Sequence, residues 1–293
     1  LLRLLNHAMY QRDLPVVYGV LWVIVPAVLV AHLAGDLLVT AAMGERKPEG
    51  RISRSWLVVG LALTLVLLIA PLFAGGDPNA LNLAGRLRPP GEAGTLGTDM
   101  LGRDLLGRIG HGARVSLTIA AVSTFLATFA GGIIATVAWA LGRWGMAILT
   151  PRTAVPNLFG PLLTGLVAVM IFRPSVTVLM IAFGLASIPS MIVAFRKLYR
   201  PDRTVHPAST ALPAMAGVML LTFAQILLAE IALSFLAFGV QPPSASLGNM
   251  IHETTQYIRV APHLFWTMVP SALGLAGLFL VGHSLADSSR GEG

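Results

Sequence analysis

LPAMAGVMLLTFAQILLAEIALSFLAF, residues 212–238, followed by GVQPPSASLGNM, residues 239–250, is the stretch on which the fold turns. About 27 residues pass with one charge, Glu230, where about 20 apolar residues suffice to cross a hydrocarbon core. The loop behind it is interrupted by Pro242-Pro243. The whole chain shares this texture: its 293 residues are 55% hydrophobic and 11% charged, against about 25% charged in an ordinary soluble domain. Mean hydropathy is +0.78. These values point to an all-α integral membrane protein.

Other classes are excluded by what the chain lacks. With no cysteine there is no disulfide framework and no Cys-based metal site. The net charge of +7 does not mark a nucleic-acid binder, because the basic residues are dispersed between apolar runs with few interleaved aromatics. Arginine flanking membrane spans accounts for them better.

Scanning for apolar runs of spanning length gives about seven candidates. They are Val16–Met43, Trp56–Phe73, Ser116–Leu141, Val155–Phe172, Val176–Phe195, Leu212–Phe238 and His263–Ala286. Trp56, Trp139, Trp144 and Trp266 fall near span ends, where indoles favour the headgroup zone. Residues 1–15 carry Arg3, Arg12 and Asp13 without an apolar core, so no signal peptide is expected, and Leu1 in place of Met reads as a trimmed start. Placing 44–55, 142–154, 196–211 and 287–293 inside puts about eleven Lys/Arg there and about nine in the longer remaining loops. On that basis residues 75–114 face outward and the C-terminus inward.

A second stretch, GTDMLGRDLLGRIGHGARVSL (Gly97–Leu117), leads into the third span. Its candidate residues are Gly97, Thr98, Asp99, Gly102, Arg103 and Asp104. Asp99, Arg103, Asp104 and Arg108 are close enough to pair locally. Met100, Leu101, Leu105, Leu106 and Ile109 recur at helical spacing, so an amphipathic segment at the mouth of the bundle is expected. A plain solvated helix capped by Thr98 is the alternative. The order G-T-D-x-x-G-R-D-x-x-x-R, then G-A-R-x-S-L, together with AEIALSFLAFGVQPPSASLGNM, resembles the C-type permease of ABC importers for dipeptides, oligopeptides and nickel. The resemblance covers most of Trp56–Ala286.

Residues 11–43, with Arg12, Asp13, Pro15, Asp36, Leu37 and Leu38, resemble the last span of the partner B-type permease. The domains expected are therefore 1–49, a B-type tail with one span, and 50–293, a C-type permease of about six spans with the type I-like bundle. An ordinary leading helix is the other reading of the first segment. The resemblance implies a second, B-type permease, two cytoplasmic ATPase subunits and an extracytoplasmic substrate-binding protein as partners. It also implies a bacterial inner-membrane location, with ATP held on the partner subunits and no cofactor on this chain.

One segment departs from the family pattern. Between Phe195 and Leu212 such permeases carry a short helix, with Glu-Ala-Ala then Gly, that docks on the ATPase. Here RKLYRPDRTVHPAST has neither element, and Pro201 and Pro207 disfavour a regular helix. Arg196, Lys197, Arg200, Asp202 and Arg203 remain the candidate ATPase-facing residues; anionic lipid headgroups are the plainer partners for the cations.

No catalytic set is legible. Neither Lys47 nor Lys197 lies in a phosphate-binding loop, and GHGARVSL lacks the Gly-x-Ser-x-Gly arrangement of a hydrolase elbow. His252, Glu253 and His263 come nearest to a metal cluster but read better as interfacial polar residues. Glu230 is costly at membrane depth, which suggests a helix-pairing or pathway role, whereas Asp36 lies near a span end. Ala127, Gly131 and Ala135 form a small-xxx-small face suited to close helix packing. The expected function is a non-enzymatic permease subunit of an ATP-driven importer for peptides or related solutes such as nickel chelates. A degenerate, non-transporting permease and a secondary transporter are the rivals; for the latter there is only Glu230 and no convincing repeat.

Overall fold

A computed structural model describes residues 54–142, 159–172, 174–196 and 208–288. The expected first span, with Asp36, lies outside the described residues, as do Trp144, Lys197, Arg200, Asp202 and Arg203.

All regular secondary structure in the described residues is helical, apart from one isolated bridge between Thr98 and Asp104. Its helices are α1 (Arg54–Ile69), α2 (Leu105–Ala140), α3 (Phe159–Ile171), α4 (Val176–Arg196), α5 (Ala208–Phe235), α6 (Leu247–Thr255) and α7 (Val269–Ser288). Short 3-10 segments at Ala70–Phe73 and Pro262–Thr267 extend α1 and lead into α7. Five of these stretches are long and apolar enough to cross a membrane, and α3 is a shorter apolar helix.

Two spans differ most from the sequence reading. The third span and the stretch before it are one helix: α2 runs 36 residues, about 54 Å at 1.5 Å per residue, well beyond a hydrocarbon core of about 30 Å. The span expected over 212–238 starts earlier, at Ala208, and stops at Phe235. It stops because Ala237 turns left-handed (φ 64°), and the amides of Phe238 and Gly239 both return to the Leu233 carbonyl at 2.9 and 3.0 Å.

In lipid, apolar side chains gain little by leaving the solvent for one another, so helices associate through close contact at small residues. α2 is the spine and packs on α4 and α5. Ala127, Gly131 and Ala135 are all buried on it, and a Cβ added at Gly131 would lie 2.6 Å from Met191 Cβ of α4. The small-residue face read from sequence is this α2–α4 seam. α7 bridges α5 to α1, and Gly277 admits the α1 backbone so closely that a Cβ there would sit 2.5 Å from the Thr64 amide. On the other side of α1, Val58, Leu61, Leu65 and Leu68 are exposed. That face would be a liability in water and is suited to acyl chains.

Candidate functional site

Polar chemistry concentrates at one end of the bundle, formed by residues 74–104 and 236–268 and called here the capped end. The expected amphipathic helix does not begin at Gly97. Residues 97–104 form a tight turn structure, and α2 starts at Leu105 with Asp104, not Thr98, as its cap; Asp104 Oδ2 accepts from the Gly107 amide at 2.7 Å. Helical spacing of the apolar residues was misleading because two glycines break the backbone first. Gly97 (φ 83°) and Gly102 (φ 73°) both occupy the left-handed region. A Cβ on Gly102 would collide with the Asn82 carbonyl oxygen, and one on Gly97 with that of Arg88.

Each remaining motif residue has a partner. The Thr98 hydroxyl donates to the Gly85 carbonyl and accepts from the Arg88 amide at 3.0 Å, tying the 82–88 loop to the turn. Asp99 Oδ1 accepts from the amides of Leu101 and Arg103 at 2.8 and 2.9 Å. Its Oδ2 accepts from Arg103 Nε at 2.6 Å and Arg108 Nη1 at 2.7 Å. Both arginines also donate to Glu253 Oε2 of α6 at 2.8 Å.

Two cations and two carboxylates thus close a ring of zero net charge. Side-chain exposure is 1% at Arg108, 2% at Asp99, 8% at Arg103 and 16% at Glu253. Burying such a group is tolerable only because every charge faces an opposite one, and removing a single partner strands the rest. Glu253 was not assigned to this ring from sequence, since its partners lie far away in the chain. A charge balance contained the hint: with Asp104 spent on the helix cap, two arginines faced one carboxylate.

The histidines beside Glu253 are dispersed. His263 Nε2 lies 3.1 Å from the Thr98 carbonyl oxygen, while His252 meets the Phe235 ring edge-on at 6.1 Å. Among the described residues, no three His, Asp or Glu side chains gather in a way that would hold an ion.

Below the ring, the two sequence motifs meet in space. Glu230 is fully buried on α5, and its Oε1 accepts from the Ser234 hydroxyl at 2.8 Å. Ser116 of α2 and Ser246, the cap of α6, lie beside the same carboxyl. Each serine oxygen also accepts a backbone amide of the returning loop or α6: Val240 to Ser234 at 3.1 Å, Leu247 to Ser116 at 3.1 Å and Asn249 to Ser246 at 3.2 Å. Glu230 therefore sits at a three-serine junction of α2, α5 and α6. The serines were legible as motif letters and not as a cluster, because nothing local brings 116, 234 and 246 together.

Along the membrane part of α2, an open groove of about 720 Å³ is lined by Thr124, Thr128, Phe125, Phe129, Phe195 and Met219 among others. It is apolar apart from threonines, and Thr128 turns its hydroxyl into its own helix, onto the Thr124 carbonyl at 2.7 Å. Phe125 and Phe129, stacked at 6.2 Å, are exposed along it.

A multi-pass bundle of apolar helices with a capped end and one open helix face defines a membrane protein. Similarity to known sequences makes the class specific. The chain is 31% identical over 261 residues to a putative peptide transport system permease protein of Brucella suis, covering 80% of this chain and 87% of the relative. It is 30% identical over 271 residues to a second putative peptide permease protein of that organism, covering 85% and 89%. The dipeptide transport system permease protein DppC of Haemophilus influenzae is 29% identical over 263 residues, covering 80% and 87%. No family model matches the chain. The chain belongs to the C-type permease family of ABC importers, the family of these peptide transport system permeases.

Proposed function

We propose that this chain lines half of the translocation pathway of an ATP-driven importer for peptides, with small chelates such as those of nickel as the related solutes. The observation that carries it is the similarity to peptide permeases along four-fifths of the chain, reinforced by the unfilled groove on α2, which a second, B-type permease would complete. Residues 1–49 are assigned to a tail of that partner fused to the C-type domain 50–293. ATP hydrolysis belongs to two cytoplasmic subunits that bind the Arg196–Arg203 segment. Solute selection belongs to an extracytoplasmic binding protein, since the groove offers little polar chemistry of its own.

The capped end is assigned to the outer face of a bacterial inner membrane. The Lys/Arg count supports this orientation, with about eleven in the segments placed inside and about nine in the longer remaining loops. Alternating access then follows from rigid-body rocking of helix bundles, biased by closure of the ATPases.

The test is ATP hydrolysis in nanodiscs containing the chain, its partner permease and the two ATPases. Stimulation by solute-loaded binding protein is the expected result. A complex that assembles yet shows no response would identify a degenerate permease instead. Deleting Arg196–Arg203 should release the ATPases, and retention would remove that segment from the coupling surface.

A further inference from the structure

We propose that residues 244–250 form a displaceable wedge between α2 and α5, and that Glu230 is the positioning residue that keeps it seated. The wedge fits because two glycines open the space. Gly112 of α2 lies against Ser246, Leu247 and Met250, where a Cβ would stand 3.1 Å from Ser246 C and Met250 Sδ. A Cβ on Gly248 would strike the Ile231 carbonyl oxygen of α5. Ala245, Ser246, Leu247 and Met250 are accordingly buried between the two helices.

Its seat is polar and therefore directional. The Leu247 amide donates to Ser116 Oγ on one side, and on the other the Val240 amide, in the loop that leads into the wedge, donates to Ser234 Oγ. A serine has one proton to give. Because Ser234 gives its proton to Glu230, only its lone pairs face Val240, so the carboxylate sets the rotamer that receives the loop. Without Glu230 the hydroxyl is free to turn to a carbonyl of its own helix, the usual local competitor. At the far end of α6 the ring clamps Glu253, and Thr255, Gln256, Arg259 and Val260 beyond it are exposed. A protein gripping that rim pulls through α6 on the wedge. This last step rests on the importer reading; the seating by Glu230 does not.

The cysteine-free chain makes the test direct. Ala245→Cys places one thiol in the wedge, at a position 3% exposed. It is read by a membrane-impermeant maleimide on open membrane fragments carrying the full chain. Slow labelling is expected in this background and with Glu230→Gln, whose amide oxygen still accepts from Ser234. Labelling roughly tenfold faster is expected with Glu230→Ala, the effect of one lost buried hydrogen bond on a local opening. Equal protection in Glu230→Ala, or equal opening in Glu230→Gln, overturns the assignment. Size-exclusion of each variant separates local opening from loss of fold. Should Glu230→Ala fail to give a monodisperse peak, Ser234→Ala decides, with opening supporting the wedge and protection refuting it. Failure of this labelling leaves the importer standing. A wedge that opens as described in a complex that ignores its binding protein instead sinks the importer and keeps the wedge.

Discussion

The capped end and the α2–α4 seam solve the same problem, holding helices in register, by opposite means. At the capped end, buried charges, caps and left-handed glycines specify each contact by direction: Asp99 alone accepts from two amides and two guanidinium groups. In the seam, Ala127, Gly131 and Ala135 specify contact by absence of bulk, with Met191 and the 188–192 backbone filling the space left. The difference teaches where water is. Directional polar bonds are worth making where the alternative is a hydrated loop, and close packing is what remains where the surroundings are hydrocarbon.

The sharpest way to break this comparison is at the ring. Arg108→Met leaves Arg103 alone to face both Asp99 and Glu253, with one buried negative charge uncompensated, and should lower stability by about 3–5 kcal/mol, seen as a large fall in the thermal midpoint in detergent. A drop under about 1 kcal/mol would mean the ring is hydrated and the contrast false. Pairing it with Asp99→Asn should recover part of the loss, since the two share one interaction. Next comes Gly102→Ala, which forces a side chain into the left-handed region against Asn82; about 1–3 kcal/mol is expected, with faster protease cleavage in the 82–104 loop as its local sign. Gly131→Val tests the seam. Overpacking against Met191 should destabilise by about 1–3 kcal/mol while leaving that loop as protease-resistant as before. If it loosened the loop as well, the two regions would be one cooperative unit. The smallest effect belongs to Arg88→Ala. Its 4.0 Å contact to Glu92 is exposed, so a change under about 0.5 kcal/mol, erased by salt, is expected.

Legibility in the sequence followed the same divide. The apolar runs located the described spans within a few residues, apart from α2, which starts eleven residues ahead of Ser116, because length and hydropathy are local properties, and the small-residue seam was visible as a spacing on one helix. What failed was local reasoning about the capped end. Met100, Leu101 and Leu105 suggested a helix from Gly97 onward, yet Gly97 and Gly102 carry the backbone where a helix cannot go. Glu230 was marked as costly from its surroundings alone, while its neighbours Ser116 and Ser246 became its neighbours only through the fold. Glu253, set beside two histidines in sequence, answers instead to arginines on another element.

The dovetail of α1 with α7 bears on how the protein is made. Gly60 and Gly277 meet across nearly the whole described sequence, with Gly274 a turn away against Leu67. A ribosome inserting this chain releases α1 early, when the helix that fits its notch has not been synthesised. Until then the groove around Gly60 stands open to lipid, and the bundle stays unlatched through the insertion of every helix between. Biogenesis therefore has a long vulnerable interval that ends with one late event. Quality-control proteases of the membrane would find their opening there, ahead of any defect in the finished protein.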